Sequence, residues 1–114
     1  MGQWPHDPAV RQADVFWADI VKQVDWYRER AGAEVAERYV NAVEATLQTL
    51  AKTPDLGRPR FASWPELADI RSWRVERPYH RHLIFYRFDE DTLIAERIIH
   101  GARDLPRRLL RSKP

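Results

Sequence analysis

The chain has 114 residues, 44% hydrophobic and 32% charged, a composition that suits one globular domain able to bury a core without staples. Cysteine is absent, which excludes disulfides, thiolate nucleophiles and cysteine-held metals, and no apolar run approaches the roughly 18 residues of a membrane span. The net charge of +2 hides an asymmetry: residues 1–57 carry 6 Lys+Arg against 9 Asp+Glu, while residues 58–114 carry 13 against 8, and 12 of those 13 cations are arginine.

Residues 1–8 contain Pro5 and Pro8 and little pattern, so they read as a loose arm. The opening MGQWPHDPAVRQ has neither the basic start nor the apolar stretch of a secretory signal, and a cytoplasmic location is expected. Ala9 to Ala13 has the length of a short edge strand. Asp14 is suited to N-cap a first helix, along which Ile20, Val24, Tyr27 and Ala31 recur at spacings of 4, 3 and 4. Gly32 ends that helix. A second helix is predicted from about Ala33 to Lys52, with Ala36, Val40, Val43, Leu47 and Leu50 on one stripe. So short a turn at Gly32 folds the two helices into an antiparallel hairpin, and each stripe needs an apolar surface beneath it.

Thr53 to Gly57 (TPDLG) is a helix stop with turn chemistry, and Arg58 to Asp69 reads as a long, exposed, partly basic loop. Ile70–Arg77, Arg81–Phe88 and Thr92–His100 are rich in β-branched and aromatic residues and are predicted strands, the last two joined by a tight loop at Asp89 to Asp91. Both faces of these two strands carry apolar residues, so the face away from the helices needs cover as well. The tail DLPRRLLRSKP would supply it through Leu105, Leu109 and Leu110 on a short helix over residues 104–114, capped by Asp104. The expected architecture is a single α+β domain spanning 1–114. A helical hairpin packs on a small antiparallel sheet, in the order β, α, α, β, β, β and a short C-terminal helix.

The chemistry-bearing residues are arginines and histidines. A planar guanidinium grips phosphate or carboxylate bidentately, so Arg58, Arg60, Arg71, Arg81, Arg87 and Arg103, with His100, are the candidate target-binding residues. The alternative is a solvated basic face with no partner. His80, His82 and His100 have no carboxylate or cysteine at ligand spacing, so no metal site is expected and none of the motifs implies a cofactor. His100, at a strand end beside Gly101 and Arg103, is the best placed general acid or base. Ser63, Ser72 and Ser112 are not in a glycine-flanked elbow, which argues against serine catalysis. Trp17, Trp26 and Trp73 read as packing residues, whereas Trp64, in the proline-rich loop beside Arg58 and Arg60, is placed to stack on a base or anchor a partner.

The order of elements and the residues that carry it resemble the ParE/RelE superfamily of toxins from bacterial type II toxin–antitoxin modules. The resemblance covers most of the chain. It includes Ala18, Asp19, Ile20, Trp26 and Tyr27 of the first helix, Ala36, Tyr39 and Val40 of the second, Leu50, Pro54 and Gly57 at its end, then IRSWRV, HLIFYR, IIHGARD and LPRRLL. It implies a growth-arresting toxin held inactive in a heteromeric complex by a small ParD-like antitoxin. ParE-like members poison DNA gyrase by binding, whereas RelE-like members cut messenger RNA on the ribosome. The near absence of lysine from the sheet region, and of a tyrosine after His100, sets this chain closer to the ParE branch, with DNA gyrase the implied target. His100, Arg71, Arg87 and Arg103 would compose a minimal RNase site in the other branch. A third reading is a nucleic-acid-binding module without toxicity, motivated by the basic half and Trp64.

Overall fold

The structure is a computed structural model and describes residues 9–101 and Leu109. Strand β1 (Ala9–Gln12) leads into helix α1 (Asp14–Ala31), which Gly32 joins to α2 (Ala33–Lys52). Gly32 holds φ at 98°, open to glycine at little cost, and its N–H closes on the carbonyls of Tyr27 and Arg28. The chain therefore reverses within one residue. The stripe on α2 is buried much as its period predicts, through Ala36, Val43, Leu47 and Leu50, with Tyr39, Ala42, Thr46 and Ala51 beside them. On α1 the stripe begins a turn earlier than expected. Phe16 and Ile20 are buried and Val24 and Tyr27 half-buried, while Ala31 is exposed.

Asp14 is the first residue of α1 and not its cap. The N–H of Ala13 still bonds to the Ala95 carbonyl of the sheet at 2.9 Å, so the chain leaves the strand directly into the helix and Ala13 occupies the cap position. Asp14 then favours the helix start only through its charge.

Strands β2 (Arg58–Pro59), β3 (Arg71–Arg74), β4 (His82–Asp89) and β5 (Thr92–His100) complete a five-stranded sheet in the order β1-β5-β4-β3-β2. The sheet is mixed, where an antiparallel one was expected. β2 to β5 pair antiparallel, but β1 lies parallel to β5, with Ala9 opposite Thr92 and Gln12 opposite Ala95. The two helices between them make the crossover that a parallel pair requires. β4 and β5 turn through Glu90 and Asp91, both at positive φ, which matches the twist of a two-residue hairpin.

The helices cover one face, over Val75, Tyr79, Ile84, Tyr86, Leu93, Ala95 and Ile98. The opposite face carries a second core of Leu67, Ile70, Leu83, Phe85, Ile99 and Leu109, with Phe61 and Trp64 packed against it. Residues 58–69 are thus not an exposed loop: they hold β2 and fold over the sheet, burying Leu67 completely. Leu109 is helical and buried in that second core, as the apolar side of the tail predicts; the rest of the short C-terminal helix and the residue 1–8 arm lie outside the described residues.

Two polar ties fix the hairpin on the sheet. Arg97 donates from Nε and Nη2 to the two carboxylate oxygens of Asp19 at 2.7 and 3.0 Å, and the Ile98 N–H donates to Asp19 at 3.1 Å. β1 has ended by that point of β5, so the Asp19 carboxylate serves a main-chain N–H that β1 does not reach. At the other end, Tyr86 donates to the Pro54 carbonyl at 2.6 Å and accepts from the Gly57 N–H at 2.9 Å. A Cβ on Gly57 would meet the Tyr86 ring and lie 2.9 Å from the Ser72 carbonyl, so glycine is required there for close approach.

Candidate binding surface

The arginines of the sheet separate into two groups. Arg71, opposite Tyr86 on β3, donates to the Gly57 carbonyl at 2.6 Å and lies 3.7 Å from Asp55. Arg87 uses all three of its nitrogens: it pairs with Asp69, donates to Glu96 at 3.1 Å and donates to the Glu66 carbonyl at 3.0 Å. Arg97 is held by Asp19. These three hold the fold together, and their charge is offset from within.

Arg58, Arg60 and Arg74 are different. All three are exposed and, among the described residues, none forms an ion pair with a carboxylate. With Ser72, Trp73 and Leu83 they line an open cleft of about 380 Å³ at the β2–β3 edge of the sheet. Local pairing explains the convergence: β2 sets Arg58 directly opposite Ser72, and the alternation of β3 brings Arg74 onto the side of Ser72. Arg60 donates to the Ser72 hydroxyl at 3.5 Å, and Arg74 donates to the His80 carbonyl at 3.2 Å.

The tryptophans are placed the other way round from the sequence expectation. Trp17, Trp26 and Trp73 are exposed, at 55%, 48% and 38%, while Trp64 is half-buried against the second core. Trp26 is covered in part by the Arg30 guanidinium, 4.7 Å from the ring centroid. Trp73, and not Trp64, is the tryptophan among the residues lining the basic cleft, at the sheet edge with its side chain on the face of β3 opposite to Ser72 and Arg74.

His82 and His100 face each other across β4 and β5 with ring centroids 4.7 Å apart, on the helix-covered side of the sheet. His82 is buried among Tyr27, Tyr39 and His100, and its Nε2 shares a 3.0 Å hydrogen bond with the Tyr27 hydroxyl. Burial first, and the charge of His100 second, lower its pKa to about 4, so it is neutral at pH 7. Burial raises the pKa of Tyr27, Tyr39 and Tyr86 above the usual phenol value.

His100 is exposed at the end of β5. Arg87 is five residues along β4 from His100's partner His82, roughly 16 Å away along the strand. Arg71 is opposite Tyr86, four residues from His82. The structure therefore brings His100 close to neither arginine, and both arginines are already held by carboxylates. Arg81 is exposed just before β4, and Arg103 lies outside the described residues. No group of three or more His, Asp or Glu suited to a metal is present among the described residues, and no described helix is long and apolar enough to cross a membrane.

Sequence reasoning named Arg58 and Arg60 and missed Arg74, Trp73 and Ser72 as their neighbours. The i, i+2 spacing of Ser72 and Arg74 on a predicted strand was the available signal.

A helical hairpin on one face of a five-stranded mixed sheet, with a basic cleft at the sheet edge, defines a small α+β protein. The model of the family described as the ParE toxin of the type II toxin–antitoxin system parDE matches residues 10–105, and the chain belongs to that family. Among solved structures the fold is similar to a chain from the chromosomal ParDE toxin–antitoxin system of P. aeruginosa, with a TM-score of 0.69 and 20% identity over 85% of this chain and 99% of that one. No curated protein gives a significant match.

Proposed function

We propose that this ParE toxin arrests growth by binding and inhibiting DNA gyrase in the cytoplasm, and that a cognate ParD-like antitoxin neutralises it in a heteromeric complex. The observation that carries this reading is the division of the arginines: Arg71, Arg87 and Arg97 are spent on internal carboxylates, while Arg58, Arg60 and Arg74 stand together at one edge with no ion pair to a carboxylate among the described residues. Uncompensated charge at a rigid edge steers and orients an anionic partner; it does not by itself break a bond. Docking then rests on Arg58, Arg60 and Arg74 with Arg81 nearby in the chain, and the reading assigns His100, Arg71 and Arg87 no bond-making role.

The similar P. aeruginosa chain comes from a ParDE toxin–antitoxin system, which supports an antitoxin for this chain too. An acidic amphipathic segment suits the role, pairing the free guanidinium groups while burying exposed apolar side chains such as Trp17 and Val21. Purified toxin is expected to stop supercoiling of relaxed plasmid by gyrase, to do so less when the antitoxin is added first, and to leave ribosome-bound message intact. Cleavage of that message with supercoiling undisturbed would place the chain in the RNase branch.

A further inference from the structure

We propose that the cleft formed by Arg58, Arg60, Trp73 and Arg74 binds a nucleotide unit of single-stranded DNA, its phosphate held by the guanidinium groups and its base against Trp73. The inference concerns the surface proposed to dock on gyrase and says what chemistry that surface holds. It is tested without gyrase, so the two readings fail separately.

Charge is the first argument. Three guanidinium groups line one cavity with no carboxylate among the lining residues, although the same sheet supplies a carboxylate to Arg71, to Arg87 and to Arg97. Their mutual repulsion is tolerated in water and relieved by a bound anion. Each guanidinium carries five N–H donors, and within the fold Arg60 commits one to Ser72 and Arg74 one to His80. Most of the donors remain for a ligand. A single carboxylate is satisfied by one guanidinium in fork geometry, whereas a phosphate, with more acceptor oxygens, engages two or three.

Shape and aromatic surface narrow the ligand further. A volume of about 380 Å³ is near the lower end for ligand pockets, enough for one nucleotide and too confined for a duplex. Trp73 is a partly exposed indole next to Arg74 on the edge strand β3, and because alternation puts the two side chains on opposite faces, a base reaches the indole across the edge while its phosphate stays with the arginines. Guanidinium groups beside an exposed aromatic ring are the combination by which single strands are held without sequence preference. The scaffold is firm beneath it, because Ser72 is buried and β3 is paired on both sides at Arg71 and Ser72.

The test is fluorescence anisotropy of the full chain with a labelled oligothymidylate of about eight nucleotides, across a salt series. The wild type is expected to bind, with a log–log salt slope near about −0.7 from the one phosphate held in the cleft. The R58A/R60A/R74A variant should bind at least about tenfold more weakly with most of that slope gone. Trp73→Ala should weaken binding by about fivefold or more with the slope unchanged. Arg11→Ala, exposed on β1 at the opposite edge of the sheet, should leave affinity within about twofold, which separates the cleft from a general effect of net charge. All three arginines are exposed, so the triple variant should keep the wild-type circular dichroism; single Arg→Gln variants, each expected to lose about threefold, replace it if it does not. Absence of binding by the wild type, or equal binding by the triple variant or by Trp73→Ala, overturns the proposal. So does tighter binding of a glutamate-rich peptide that is lost in the same variants, since that would assign the cleft to acidic protein segments.

Discussion

His82 makes stability depend on pH. It is only 2% exposed, under Tyr27 and Tyr39, and its pKa is lowered from the ordinary 6.5 to about 4. Between these values the unfolded chain takes up a proton that the folded chain refuses, so stability falls as pH falls. The loss begins near pH 6.5 and is complete below about pH 4. At 1.36 kcal/mol per tenfold change, it reaches about 1.4 kcal/mol at pH 5.5 and roughly 3 kcal/mol at pH 4. The perturbation is His82→Gln, which keeps a polar partner for the Tyr27 hydroxyl and removes the titration. Urea unfolding followed by tryptophan fluorescence at pH 7.5, 5.5 and 4.0 gives the stability of both proteins. At pH 7.5 the variant should be less stable by about 1 kcal/mol, from poorer packing and hydrogen bonding. By pH 4 the order should reverse, because only the wild type loses the His82 contribution, while carboxylates titrate alike in both. A constant difference between the two proteins from pH 7.5 to 4.0 would refute the reasoning and mean that His82 is protonated in place at no cost.

Three further outcomes follow from the fold's polar ties and its tight turn. Asp19→Ala should cost roughly 2–3 kcal/mol in urea unfolding, because it removes the carboxylate that pairs with the largely buried Arg97 guanidinium and accepts from the Ile98 N–H, whereas Trp17→Ala, at an exposed site two residues away, should change stability by about 0.5 kcal/mol or less. Tyr86→Phe should cost about 2 kcal/mol by leaving the Gly57 N–H and the Pro54 carbonyl without their hydroxyl, and Gly57→Ala should cost about as much through overpacking against the Tyr86 ring; thermal melts of each single variant and of the double variant should show the two effects to be non-additive. Asp91→Gly should raise stability by about 1 kcal/mol, since Asp91 sits at a φ of 67° that glycine adopts without strain.

The helices and strands β3, β4 and β5 were legible because their signals are local. Stripes at spacings of 3 and 4 and dense β-branched runs survive whatever the chain packs against. β2 was hidden because two residues, one of them Pro59, carry no strand signal of their own and become a strand only through pairing with Arg71 and Ser72. The parallel pairing of β1 with β5 joins opposite ends of the chain and leaves no mark in either segment. The tryptophans were misread for a reason the sequence did contain: at 100° per residue Trp17 and Trp26 point to opposite sides of α1, so one buried stripe was never able to hold both.

The candidate site was half legible for a similar reason. Arginine content marked the region, but whether an arginine is free depends on carboxylates that the fold delivers from elsewhere: Asp55 to Arg71, Asp69 and Glu96 to Arg87, Asp19 to Arg97. Motif residues acquire physical reasons once those partners are seen. Asp19 anchors the hairpin to β5, and Gly57 makes room for Tyr86.

The central claim, that this toxin acts by docking its unpaired arginines on gyrase, is tested most directly by a supercoiling assay with wild-type toxin and the R58A/R60A/R74A variant side by side. The wild type should block supercoiling, and the triple variant should need at least about tenfold more protein for the same effect. Full supercoiling in the presence of active wild-type toxin, or equal inhibition by both proteins, would contradict it.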